Sequence, residues 1–97
     1  MTKAYWVATY REIKNQDNLT EYSKLAGPAI MAGGGKFLAR GMPSIAKEAG
    51  LMQRVVLIEF DSLQAAQAVY DSADYKKALE ALGSDSVVRD IRIIEAA

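Results

Sequence analysis

The sequence predicts an α+β fold in the order β-α-β-β-α-β, with four antiparallel strands in one sheet and the helical segments on one face of it. Three observations predict it. The chain has 97 residues and no linker-like stretch, which suits a single domain over residues 1–97 with one modest core. Runs rich in aromatic and β-branched residues recur at 4–13, 36–40, 53–60 and about 87–95. Between the first and second of these, and again between the third and fourth, apolar residues recur at helical spacing.

In the first strand both alternating sets, Tyr5/Val7/Thr9 and Trp6/Ala8/Tyr10, are largely apolar, so both faces are expected to be covered. Residues 15–18 carry turn chemistry, with Asp17 or Asn18 as the expected helix cap. Leu19, Tyr22, Leu25, Ala26, Ala29 and Ile30 then mark the first helix. Gly27-Pro28 is expected to kink or break it, because proline lacks an amide donor and crowds the preceding turn. Gly33-Gly34-Gly35 stops the helix and lets the backbone turn through positive φ into the short strand that ends at Arg40 and Gly41.

Residues 41–51, with Pro43 and Gly50, read as a loop. The strand 53–60 is the clearest in the chain, apolar from Val55 to Phe60 except at Glu59. Asp61-Ser62 caps the next helix, with Gln64 three residues after Asp61 as in a capping box, and Leu63, Ala66, Val69 and Tyr70 form its stripe. Ser72 is a second cap, restarting a helix with Tyr75, Ala78, Leu79 and Leu82 on one side that Gly83 stops. The other sheet face has no helix left to cover it. A second copy of the chain is the simplest cover, and a sheet-to-sheet homodimer is expected.

Composition excludes several functions. Twelve basic and twelve acidic residues cancel and form no long block, so neither a nucleic-acid backbone nor an anionic membrane is an expected partner. The absence of cysteine and histidine removes disulfides, thiolate nucleophiles, the usual zinc sites and imidazole acid–base chemistry. No metal and no cofactor are expected. The N-terminus resembles neither a signal peptide nor a spanning helix, which makes the cytoplasm the expected location.

The chain resembles a family in the segments Tyr5-Trp6-Val7-Ala8, Gly34-Gly35-Lys36-Phe37-Leu38-Ala39-Arg40-Gly41, Val56-Leu57-Ile58-Glu59-Phe60-Asp61-Ser62 and Tyr70-Asp71-Ser72-Ala73-Asp74-Tyr75. These are similar to the domain of unknown function 1330 family, within the dimeric α/β barrel superfamily, over nearly the whole chain. The resemblance implies a ferredoxin-like protomer that pairs its sheet with a second one to form a barrel. It brings no settled activity.

The glycine run precedes a strand and follows a helix, the reverse of a phosphate-binding loop, so it reads as a helix stop. Arg40 at the strand's end is a planar cation suited to a carboxylate, or to pairing with Glu59 or Asp90. Glu59 interrupts an apolar strand, where a carboxylate could move a proton or pair with Arg40, Arg54 or Arg92. Tyr70 and Tyr75 bracket a helical junction and could donate to a ligand, and Tyr5 is a third candidate contact. Tyr10 and Tyr22, with Trp6, read as core or interface aromatics. Asp90 and Arg92 read as sheet-stabilising charges. The expected site is a small, mostly apolar pocket between sheet and helices, rimmed by Arg40, Glu59, Tyr70 and Tyr75. Two functions fit it: cofactor-independent isomerisation, lysis or oxygenation of a small carbonyl, phenolic or enol-like metabolite, with Arg40 and Glu59 catalytic, or non-catalytic ligand binding by an interaction dimer.

Overall fold

The computed structural model describes residues 2–97 as seven elements. In chain order they are β1 (Ala4–Ile13), α1 (Gln16–Ala32), β2 (Lys36–Gly41), β3 (Val55–Phe60), α2 (Leu63–Tyr70), α3 (Ala73–Leu82) and β4 (Val87–Glu95). The strands form one antiparallel sheet in the order β2-β3-β1-β4, as expected for β-α-β-β-α-β connectivity with the second helix in two pieces. Among the described residues no helix is long and apolar enough to cross a membrane.

The sheet alternates cleanly about its core face. Ala4, Trp6, Ala8 and Tyr10 of β1 and Val56, Ile58 and Phe60 of β3 are buried under the helices. Leu19, Tyr22, Ala26, Ala29 and Ile30 of α1, Ala66 and Val69 of α2, and Tyr75, Ala78 and Leu82 of α3 complete the core. Trp6 is its centre: its ring lies 6.1 Å from Phe60, 5.8 Å from Tyr70 and 5.3 Å from Tyr75, the last edge-on. The opposite face of the sheet carries Tyr5, Val7, Val55, Leu57 and Ile94, and Ile94 is 61% exposed. The molecule measures 37 × 33 × 17 Å, and the short dimension holds one sheet and one layer of helices.

Local chemistry explains most boundaries and corrects some expectations. The cap of α1 is Asn15, not Asp17 or Asn18: its side chain accepts from the Asn18 amide at 3.0 Å. Nor does Gly27-Pro28 break α1, which runs through both residues. Gly27 has no Cβ to meet the proline ring, and the Lys24 carbonyl that loses its donor lies on the exposed side, where water can take it. Ser62 and Ser72 cap α2 and α3, accepting from the Ala65 and Tyr75 amides. With Ser62 as cap, the third helical position is Ala65, so Asp61 and Gln64 do not form the expected capping box.

The three glycines between α1 and β2 act differently. Gly34 adopts φ +92°, while Gly35 packs so tightly that a Cβ would lie 2.5 Å from Ile30 Cγ2 and 2.9 Å from Phe60 Cζ. Strand β2 then slips in register against β3 between Phe37 and Ala39. The slip matters for the site, because it puts Phe37 (opposite Ile58) and Arg40 (opposite Val56) on the same, helix-covered face.

Candidate functional site

The polar end of the core is built by three neighbouring strands. Tyr10 follows Trp6 and Ala8 on the core face of β1, and it stands directly opposite Arg89 of β4. On its other side the Tyr10 amide donates to the Arg54 carbonyl at 3.0 Å, which sets Arg54 beside it at the start of β3. Arg54, Tyr10 and Arg89 thus form one row across the sheet, with Arg40 of β2 one step away. Helix α1 lies above the row with Tyr22, Ser23, Ala26 and Gly27.

These residues, with Trp6, Phe37 and Ile58, line a half-open cleft of about 30 Å³. That is room for about two water molecules. Ser23 and Arg54 also line an adjoining outer depression of about 360 Å³, whose other walls include Ile13, Leu19 and Met42.

The charges in this cleft are all of one sign. Arg89 Nη1 donates to Tyr10 Oη at 2.9 Å and Nη2 to Tyr75 Oη at 3.4 Å, and its Cζ sits 4.7 Å over the Tyr22 ring. Arg40 lies over Phe37, 4.6 Å from the ring centroid. Arg54 Nε is buried with no hydrogen-bond partner. Among the described residues none of these three arginines forms an ion pair, and no Asp or Glu lines the cleft. Several acidic residues are engaged elsewhere: Asp90 with Thr9, Arg11 and Arg92, Asp85 with Lys14, Glu59 with Lys3.

Tyr75 and Tyr10 are weak acids. Burial pushes the Tyr75 hydroxyl far above the usual phenol range, an effect strengthened by Tyr22 at 2.6 Å and only partly offset by Arg89. Burial also raises Tyr10, against the pull of Arg89. For Arg89 burial opposes the charge, but the oxygens of Tyr22, Tyr10 and Tyr75 outweigh it and the net direction is up. The cleft therefore offers fixed cations and neutral hydroxyl donors. It can hold and stabilise an anion.

The expected site residues are not brought into one place. Arg40 lines the cleft. Tyr75, with no exposed surface, does not line it, but it holds Tyr22 and Arg89 by their polar ends. Tyr70 is 41% exposed and packs against Trp6 and Tyr75, at a separate depression with Arg89, Ile91 and Ile93. Glu59 and Tyr5 are paired neighbours on the open face of the sheet, so they share no cavity with Arg40. The expected common rim of Arg40, Glu59, Tyr70 and Tyr75 is thus not formed, because odd and even positions of β3 face opposite ways. Glu59 pairs with Lys3 at 3.2 Å, where Arg40, Arg54 or Arg92 was expected. Arg54 and Arg89 are the cleft residues that patterning passes over. Their signal is a charge in the apolar phase of a strand, Arg54 with Val56, Ile58 and Phe60, Arg89 with Val87, Ile91 and Ile93.

The chain matches the family described as Domain of unknown function (DUF1330) over residues 3–97. No curated protein matches it. Among solved structures it is similar to a protein of unknown function from Rhodopseudomonas palustris, with TM-score 0.73 and 18% identity, covering 98% of this chain and 81% of that one. It is also similar to a dimeric ferredoxin-like protein of unknown function from Thermobifida fusca, with TM-score 0.63 and 20% identity over 99% and 91% of the two chains. A third similar structure is a Caulobacter crescentus protein whose name proposes an antibiotic biosynthesis monooxygenase, with TM-score 0.64 and 17% identity over 99% and 91%. At these identities the likeness shows a ferredoxin-like fold.

Proposed function

The chain belongs to the DUF1330 family, and on that footing we propose that it is a small-molecule-binding protein whose ligand enters the arginine-lined cleft between the sheet and α1. One observation carries the proposal: three guanidinium groups converge on a cleft that holds no carboxylate. Arg54 and Arg89 are half-buried, and half-buried cations left unpaired cost stability unless something else supplies the charge. A bound molecule would do so.

We further propose that the working unit is a cytoplasmic homodimer joined through the open sheet face. Val7, Val55, Leu57 and Ile94 on that face support it, as do the protruding Ile45, Leu51 and Met52 of the loop after β2, Ile45 being 73% exposed. A dimeric relative of the same fold supports it too.

A catalytic version remains a second proposal, favoured by the Caulobacter relative's name. Arg40 would stabilise developing negative charge, and neutral phenols would donate to it. The absence of a carboxylate from the cleft restricts such chemistry to a substrate acidic enough to release its proton to water, such as an enol or phenol, in an isomerase or lyase type of reaction, or in a monooxygenase type with molecular oxygen as oxidant, without a cofactor. Glu59 would serve such a reaction only from the opposite face of the sheet.

The test is a thermal-shift screen for ligands, repeated on Arg40→Ala and Glu59→Gln. The proposal expects Arg40→Ala to abolish binding of any hit while leaving the melting temperature and dimer intact, and Glu59→Gln to keep it. Loss of binding in Glu59→Gln with retention in Arg40→Ala would move the site to the open face and end the proposal.

A further inference from the structure

We infer that the cleft takes the carboxylate of a small amphipathic monocarboxylate, with the apolar body of the molecule lying in the outer depression. This rests on the reading that the cleft is the binding site and adds the chemical class of its occupant. Four observations bear on it.

The first is charge. Arg40, Arg54 and Arg89 together outweigh a single negative charge, and none is spent on an internal carboxylate among the described residues. Arg89 is held instead by phenol oxygens and ring faces, which fix its position without neutralising it. The second is an open hydrogen-bond donor. Arg54 Nε is buried and donates to nothing, and a guanidinium edge presents its donors as a planar fork matched to two carboxylate oxygens.

The third is size. About 30 Å³ admits about two waters, which is the room taken by a planar group of three heavy atoms. The fourth is continuity. Arg54 and Ser23 line both the inner cleft and the outer depression of about 360 Å³, where Ile13, Leu19 and Met42 offer apolar wall among the polar Gln16, Thr20 and Gln53. A charged head inside and an apolar body outside is the arrangement that these two spaces together accommodate. Gly27 keeps the way in clear: it is buried on α1, yet a Cβ built on it meets nothing within 4 Å.

The test uses benzoate, its uncharged counterpart benzamide, and inorganic phosphate. Trp6 is the single tryptophan and lines the cleft, so its fluorescence reports occupancy, with calorimetry as a second readout. The expected result is saturable benzoate binding, at least tenfold weaker binding of benzamide, and no displacement of benzoate by an equal concentration of phosphate. Arg54→Gln and the exposed Arg40→Gln should each weaken benzoate at least tenfold without changing benzamide, while circular dichroism stays native. Equal affinity for benzoate and benzamide would overturn the carboxylate inference and leave the cleft as a binding site. Displacement by phosphate would overturn it in favour of a tetrahedral anion. No benzoate binding up to about 10 mM, the weakest affinity reasonable for a fragment of that size, would overturn it as well. Whether the cleft itself then survives is decided separately by the Arg40→Ala screen.

Discussion

The buried phenol of Tyr75 makes a quantitative prediction about alkaline stability. Burial holds its pKa well above the reference value of 10.0, so the folded chain keeps this proton where the unfolded chain loses it. A raised folded pKa contributes stability that is fully present below pH 10 and is lost as pH climbs beyond it. At about pH 11.5 an ordinary tyrosine in the unfolded chain has gained RT ln(1 + 10^1.5), about 2 kcal/mol, that the native phenol has not. Tyr75→Phe removes this alkaline loss. At neutral pH it also removes the bond to Tyr22 and the acceptor for Arg89, costing about 1–2 kcal/mol. Urea melts from about pH 8 to 11.5 should therefore show the variant less stable at the start, with the gap narrowing by about 2 kcal/mol until the two curves nearly meet. Tyr10, Lys3 and Lys14 are raised in both proteins and cancel in the difference. Parallel curves would refute the reasoning, since they would mean that Tyr75 ionises as freely in the native state as in water. The tyrosinate absorbance of the native protein is an independent check. The outcome bears on the cleft, because a phenol that stays protonated gives Arg89 an acceptor without neutralising its charge.

Gly35→Ala should cost about 2–3 kcal/mol by overpacking, because the Ile30 carbonyl 2.9 Å from the new Cβ cannot rotate away, and a fall in melting temperature of less than a few degrees would refute it. Gly33→Ala clashes instead with one methyl, Val69 Cγ2, so Val69→Ala should relieve that clash and the double variant should be more stable than additivity predicts, as a double-mutant cycle in urea will show. Leu57→Arg on the open sheet face should yield a folded monomer in sedimentation velocity, and a persisting dimer would place the interface elsewhere. Ser62→Ala should lower stability by about 1 kcal/mol through loss of the α2 cap, with little effect on ligand binding.

Much of the fold can be read from local pattern because each element states itself in neighbouring residues. The β1 run, the Ser72 cap, the Gly83 stop and the β4 limits need no tertiary information. The site is less legible because it depends on parity and register. Both phases of β3 are apolar, so the sequence does not say which face the helices cover, and Glu59 could be assigned to either. Alternation along β2 sets Arg40 in phase with Lys36 and Leu38, and only the slip after Phe37 turns it toward α1. Arg89 gains meaning from the pairing with Tyr10, which links residues 79 apart. The one local clue is a charge where the alternation calls for an apolar residue.

That clue also explains why the cleft looks as it does. Had a carboxylate faced Arg89, the pair would have neutralised itself and stiffened the end of the core. Phenols and aromatic faces solve the packing problem differently: they supply acceptors and a favourable quadrupole, yet they carry no charge of their own. The guanidinium is thereby held in place with its field intact. Stability is given up for this at Arg54 and Arg89, half-buried cations with no opposite charge among the cleft's walls. Gly27, whose missing Cβ accommodates the Pro28 ring within α1, lines the same cleft. The unpaired charge is confined to this cleft, whereas the remaining core is filled by ordinary aromatic and aliphatic packing. Selection for stability alone favours removing such unpaired charge, which supports the binding role proposed for this cleft.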